Sequence, residues 1–400
     1  MKNYLKICLA ILFAVSVANF THAQGDQPIV IQREGTTFGM KPIPVSLDGF
    51  SGDAESVLKF DLYVQGFSFV SAADAQYQIS GNNSANVIGN VTDKFAKKVI
   101  LSRSYTGGSL RSEAHAFANE IVEAITGKPG ISLLRGSTAK IAFKAQPKGS
   151  GPGEIYISDF DGHNSQVATP EKTIVAAPSW VPGHLALCYN SYAMDNNPYI
   201  FYHDYVSGQR KVIARYGGSN ISPSVSPDGG KVAMVLDKDG DRPNIYVANI
   251  DGSNLRRLTT GEEDSSPCWS PDGKWICFAT KISEHRCLAK VPASGGEVQR
   301  IPTSGVLNPT EPDWSPDGKW IAFTSQMGDF NICVMPADGS AAPVTITNGE
   351  DPSWAPNSRT LIFARRSGWT YTLSVLDVFT KQAKDIGRIS GSDSEPAWAR

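Results

Sequence analysis

Beyond residue 135 the apolar residues come in short runs, and the same runs return at a fixed interval. A Pro-aromatic opening stands in "PSWVPGH" from Pro178, "PCWSPDG" from Pro267, "PDWSPDG" from Pro312, "PSWAPNS" from Pro352 and "PAWAR" from Pro396, with "PSVSPDGG" from Pro223 as a variant. A second run follows as "KIAF", "HLAL", "KVAM", "KWICF", "KWIAF" and "RTLIF", and a third as "EIYISDFDG", "YIFYHDYVSG", "NIYVANIDG", "CLAKVPASGG", "NICVMPADG" and "YTLSVLDVFT". A fourth is clearest in "LRRLTTG", "VQRIPTSG" and "PVTITNG". Ser-Pro-Asp-Gly between the first two runs supplies a turn: Pro fixes φ, Asp bonds back to the backbone, and Gly tolerates positive φ. Four strands in each period of about 44 residues predict a β-propeller blade. Six second and six third runs predict six blades. The runs are continuous rather than alternating, as expected of sheets covered on both faces by neighbouring blades.

The ends of the repeat predict how the ring closes. The first repeat enters at its second strand, "AKIAF", with no Pro-Trp strand before it, and "EPAW" has only Ala399 and Arg400 after it. That last strand is expected to complete the first blade and leave no open sheet edge. Trp180, Trp269, Trp314, Trp354 and Trp398 share one place in the repeat. They are expected to pack between blades rather than to form a ligand box.

Residues 24–130 lack the repeat. "PIVIQ", "IPVSL", "FSFVS", "ANVIGNV" and "KKVILSRSY" predict strands, and "DAESVLKFDLYV" a helix capped by its Asp. The firmest helix is "SLRSEAHAFANEIVEAITGKPG": Ala114, Phe117, Ile121 and Ile125 share a face, Gly127 ends it and Pro129 follows. The fold class is therefore mainly β, a six-bladed propeller over 135–400 with a small α/β domain over 24–130. His115 on that helix is expected at the surface.

Residues 1–23 read as an export signal, with Lys2 and Lys6 before an apolar core and Thr21-His22-Ala23 as a cleavage site. No later stretch approaches the ~20 apolar residues of a spanning helix. Basic and acidic residues number 37 and 39, which argues against nucleic acid. With Cys8 set aside in the export signal, five cysteines remain, Cys188, Cys268, Cys277, Cys287 and Cys333, odd in number and irregular in spacing, so they predict buried free thiols, with no disulfide framework and no metal site. A hydrolase would need a G-x-S-x-G elbow, and "GGSLRS" and "GGSNIS" both lack the second Gly. "DKDGDRPN" has its Gly in the wrong place for a calcium loop, and "GSGPGE" is too isolated for a nucleotide loop. Binding, with no cofactor, is the expected function. The alternative is an exported propeller that binds a saccharide or acts as a hydrolase.

"NEIVEAITGKPG", the following "STAKIAF", "EIYISDFDGHN" and the Ser-Pro-Asp-Gly repeats together resemble the TolB family, the periplasmic component of the Tol-Pal system of Gram-negative bacteria. The resemblance implies a periplasmic binding protein that supports the outer membrane and its constriction at division. It implies two partners: the peptidoglycan-associated lipoprotein Pal at the propeller, and the inner-membrane protein TolA at the N-terminal part. The mature start "QGDQPIVIQREGTTFGMKPIPV" matches the family's TolA-docking segment only loosely, and Ile29, Val30 and Ile31 are the candidate docking residues.

The topology predicts where each partner sits. The chain enters the ring at the Ser-Pro-Asp-Gly end, so the N-terminal domain is expected there. The free mouth is then ringed by loops joining a fourth strand to the next first strand. Their acids, Glu262, Glu263, Asp264, Glu311, Glu350, Asp351, Asp393 and Glu395, predict a negative mouth for a basic partner surface. Ser219, Asn220, Ser265 and Thr310 lie in the same loops, at positions where the resemblance implies Pal contacts. Reversing Glu263 and Glu311 is expected to slow association and leave the melting temperature almost unmoved.

Overall fold

The computed structural model describes residues 38–131, 139–149, 151–238, 240, 242–386 and 391–400. The export signal and Ile29–Ile31 lie outside the described residues. Six four-stranded sheets form the ring, each running from an inner first strand to an outer fourth. In the fifth blade, for example, Pro309–Trp314, Trp320–Met327, Asp329–Pro336 and Val344–Asn348 pair in that order. The closure expected from sequence is present: Ser392–Trp398 pairs antiparallel with Lys140–Gln146, as the inner strand of the first blade.

The repeated tryptophans are scaffold. Trp180 packs with strands of the first and second blades, Trp269 with the third and fourth, Trp314 with the fourth and fifth, and Trp354 with the fifth and sixth. Trp398 closes the circle between the sixth and first. Three indole N–H groups also donate to the preceding blade's inner strand: Trp180 to Ala397 O at 3.0 Å, Trp269 to Ser224 O at 2.9 Å and Trp354 to Asp313 O at 3.2 Å. A large aromatic buried with its one donor satisfied both fills and registers the joint. The five cysteines among the described residues are buried and free, and burial pushes the Cys188 thiol up to about 12.

The Ser-Pro-Asp-Gly turns behave as their residues dictate. Ser270 Oγ donates to Asp272 Oδ1 at 2.6 Å and accepts from Trp275 N at 2.9 Å, while Lys274 N donates to the same carboxylate at 3.1 Å. Gly273 takes φ +68° at the end of the turn. The Ser270 hydroxyl first, and then the Lys274 amide, hold the Asp272 carboxyl below its ordinary range.

The small N-terminal unit is a five-stranded mixed sheet. In spatial order its strands are Phe67–Phe69, Ile43–Asp48, Tyr77–Asn82, Ile88–Asp93 and Lys98–Ser104, and the first three run parallel. Helix α1, Gly52–Tyr63, and helix α2, Leu110–Thr126, bury Leu58, Leu62, Phe117 and Ile121 in a common core with Val45, Ile79 and Val91 of the sheet. α2 ends as predicted, with Gly127 at φ +67° and its N–H on Glu123 O at 2.8 Å. α1 starts differently: Ser51, not Asp53, stands at its N-cap position, and the Ser51 side chain makes no capping hydrogen bond. Tyr77–Asn82, "YQISGN", is a strand the sequence pattern missed, because its polar residues and glycine hide the alternation around buried Ile79.

The unit sits at the Ser-Pro-Asp-Gly end. Gln382 Nε2 donates to Phe67 O at 3.1 Å, and Gly39 N and Met40 N donate to Phe379 O at 2.7 and 2.8 Å. His115 corrects the surface expectation, for it is buried in this joint. Its Nδ1 lies 2.7 Å from Asp61 Oδ2 of α1, and its Nε2 lies 3.3 Å from Asp161 Oδ2 in the first blade. Arg111 pairs with the same Asp161. Burial holds the Asp61 carboxyl above its ordinary range, and His115 pulls against that.

Candidate functional site

A channel of about 750 Å³ runs along the ring axis, lined from Pro227, Pro271 and Pro316 of the turns to Gln146 and Glu350 at the other end. Every inner strand is bulged where it meets its second strand. In each, the residue before the strand's proline takes a left-handed conformation: Ala177 (φ +50°), Ser222 (+52°), Ser266 (+50°), Glu311 (+51°), Asp351 (+55°) and Glu395 (+51°). A non-glycine residue there costs roughly 1–2 kcal/mol. The proline that follows cannot donate to the ladder, and a bulge tolerates that loss. All six of these residues line the channel.

The ring of bulges is chemically lopsided. Glu311, Asp351 and Glu395 stand on the consecutive fifth, sixth and first blades, and Ala177, Ser222 and Ser266 on the second, third and fourth. Two of the acids also fasten the next blade. Glu311 Oε2 accepts from Thr324 Oγ1 at 2.7 Å and from Asp351 N at 3.1 Å. Glu395 accepts from Ala177 N at 2.6 Å and from Lys144 Nζ at 3.0 Å. Burial first, then the charges of Glu311, Glu395 and Glu350, hold the Asp351 carboxyl well above its ordinary range. Glu350 is raised too, by burial foremost, with the Tyr371 hydroxyl opposing. The channel wall is therefore polar and acidic on one side and neutral on the other.

The candidate residues fall into two groups. Glu262 and Glu263 are exposed at the mouth but paired, Glu262 with Arg242 at 2.9 Å and Glu263 with Arg286 at 3.2 Å and Lys281 at 3.5 Å. Ser265 Oγ accepts from Arg286 Nη1 at 3.4 Å, and Thr310 lies opposite Thr324 in the ladder. Glu311 and Glu395 are not rim charges; they are bulge residues inside the channel. Asn220 corrects its assignment as a contact, because it is fully buried. Its side chain accepts from Tyr216 N at 2.8 Å and donates to Tyr216 O at 2.9 Å, pinning the loop that carries Ser219. Asp264 and Asp393 are buried as well, and Asp264 accepts from Asn244 Nδ2 at 3.1 Å and Thr280 Oγ1 at 2.6 Å. The mouth thus carries less free charge than a count of loop acids implies. One sequence signal marks the bulge ring: the residue before each repeat's proline, read as a column.

Arg400, which no sequence motif marks, stands at the turn end of the channel. Its guanidinium donates to Trp314 O and Trp354 O, both at 3.2 Å, and pairs with Asp313.

The family model for the TolB beta propeller domain matches residues 122–400 of this chain. The chain belongs to the TolB propeller family. The Tol-Pal system protein TolB of Francisella tularensis subsp. tularensis (strain WY96-3418) is 31% identical over 164 residues, which span 40% of this chain and 37% of that protein. The TolB of Francisella tularensis subsp. mediasiatica (strain FSC147) matches to the same extent. The chain thus aligns with well under half the length of these TolB relatives. In three dimensions the likeness is longer. A crystal structure of TolB from Acinetobacter baumannii superposes with a TM-score of 0.79, covering 90% of this chain and 98% of that one at 22% identity. A structure of a putative TolB from Agrobacterium tumefaciens gives 0.51 over 62% of this chain at 19% identity. At these identities the likeness shows a TolB-type fold.

Proposed function

We propose that the chain is a non-enzymatic, periplasmic binding component of a Tol-Pal-like system, exported by residues 1–23, that helps maintain the outer membrane and draw it in at division. The observation that carries this reading is the TolB propeller match across residues 122–400. It is supported by a channel whose far mouth, among the described residues, lies at the end opposite the N-terminal unit, which docks at the turn end. A Pal-like lipoprotein engages that mouth through Ser219, Glu262, Glu263, Ser265 and Thr310, with Glu311 and Glu395 behind them. A TolA-like inner-membrane protein engages the N-terminal segment around Ile29, Val30 and Ile31.

The test is affinity capture from envelope extracts with the mature chain as bait. Recovery of a peptidoglycan-associated lipoprotein, lost when Glu262 and Glu263 are both changed to Lys, supports the reading. Capture that ignores these changes, or turnover of peptides or saccharides by the purified chain, overturns it.

A further inference from the structure

The hairpin between Ile88–Asp93 and Lys98–Ser104 ends in "KFAKKV", residues 94–99, at the far edge of the N-terminal sheet. A tip built for solvent would be polar, yet Phe95 is 83% and Val99 53% exposed, and Ala96 is exposed between them. The exposure is not that of a slack loop. Asp93 Oδ1 accepts from both Phe95 N and Ala96 N at 2.9 Å, and Lys94 N donates to Gln76 O at 3.1 Å. Lys94 Nζ is fastened to Ala72 O, and to Ala73 O at 3.1 Å. Lys97 takes φ +50° to close the turn.

Charge singles out the same tip. Lys94, Lys97 and Lys98 surround the aromatic ring in sequence, and among the described residues neither Lys97 nor Lys98 has a carboxylate partner. The nearby acids are already engaged: Asp93 in the turn, and Asp74 as acceptor of Ser71 Oγ at 2.6 Å. A protein partner needs a patch of about 800 Å² on each side, far more than a tip of six residues presents. A bilayer surface asks for less. An aromatic side chain enters at headgroup depth, and lysines beside it meet anionic phosphates.

The geometry points to residues 94–99 as a rigid, reversible docking tip for an anionic lipid bilayer, with Phe95 as the wedge and Lys97 and Lys98 as headgroup contacts. It is independent of the channel and of any protein partner there. Each surface lysine contributes about five-fold in apparent binding, so losing two costs about 25-fold. Withdrawing the Phe95 ring from the interface costs about ten-fold. Binding of this size is weak, salt-sensitive and additive to whatever protein contacts the chain makes.

The experiment is co-sedimentation of the mature chain with vesicles of phosphatidylglycerol mixed equally with phosphatidylcholine, and with phosphatidylcholine alone, at low and high salt. Expected are binding to the anionic vesicles only, release by salt, a loss of about ten-fold for Phe95→Ser, and near-complete loss for Lys97→Glu with Lys98→Glu. All three positions are exposed, and unchanged melting curves check that the variants fold. Failure of the parent to bind, or equal binding by Phe95→Ser, overturns the proposal. So does equal retention on an immobilised polyglutamate surface that ignores Phe95, which would mark the tip as a site for acidic protein.

Discussion

Arg400→Ala removes one side chain that touches three groups on two blades. The guanidinium donates to the carbonyls of Trp314 and Trp354 and pairs with Asp313, whose Oδ2 also accepts from Trp354 N at 2.7 Å. Breaking a fully buried pair costs about 3–5 kcal/mol. Here the Arg400 side chain is 31% exposed and that of Asp313 17%, so water reaches part of what is left behind, and roughly 2 kcal/mol is the working figure. At 2–4 °C per kcal/mol the melting temperature falls by roughly 4–8 °C. The pH dependence is more telling than the size. Burial holds the Asp313 carboxyl above its ordinary range, and Arg400 is the first group pulling it back. A carboxyl raised by folding adds stability that is fully present below its unfolded pKa and lost as pH rises through its folded pKa. Removing Arg400 raises the folded pKa further, so the deficit is largest near neutrality and narrows as pH falls towards the ordinary carboxylate range. Arg400→Lys keeps a charge but not the three-way donation and lies between. Thermal melts of parent and both variants across that pH range check this. A deficit equal at about pH 8 and about pH 5 would refute the role given to Asp313.

Deleting Asp393–Arg400 removes the inner strand of the first blade along with Trp398 and Glu395; cooperative melting is expected to vanish and aggregation to appear, and a melt within a degree or two of the parent would sink the closure. Glu311→Lys and Glu263→Lys should now part company. The first loses the acceptor for Asp351 N and Thr324 and lowers stability by roughly 1–3 kcal/mol in a denaturant melt, while the second leaves the melt unmoved and only slows partner association in a stopped-flow mixing experiment.

The scaffold was legible in sequence because each repeat states its own local physics. Ser-Pro-Asp-Gly makes the same turn wherever it occurs, and the tryptophan that ends five of the six inner strands needs the same kind of pocket. What was not legible is what joins distant segments. His115 lies beside the apolar stripe of α2 and looks free along the chain; its partners Asp61 and Asp161 belong to another helix and another blade. Glu311 and Glu395 read as loop charges because a bulge is a feature of pairing, and pairing is set by the neighbouring strand. Asn220 looks like any polar loop residue until the backbone around Tyr216 closes on it.

The uneven ring of bulge residues also bears on how near-identical repeats find their places. Blades four and five share almost the same first hairpin, "PCWSPDGKWICFAT" against "PDWSPDGKWIAFTS", and nothing in the turns or tryptophans tells one from the other. The joints do. Glu395 reaches Ala177 N between the first and second blades, Asn190 reaches Ser222 N at 3.1 Å and Asn220 O at 3.0 Å between the second and third, and Glu311 reaches Asp351 N between the fifth and sixth. Each of these side chains meets a backbone group that every bulge offers, so the address lies in the reaching residue and not in the neighbour that answers. A fourth blade folded into the fifth position would place Ser266 where Glu311 belongs and leave Asp351 N without that acceptor. Repeat chains misassemble when their units are interchangeable; here the channel residues that set the wall's charge also number the blades.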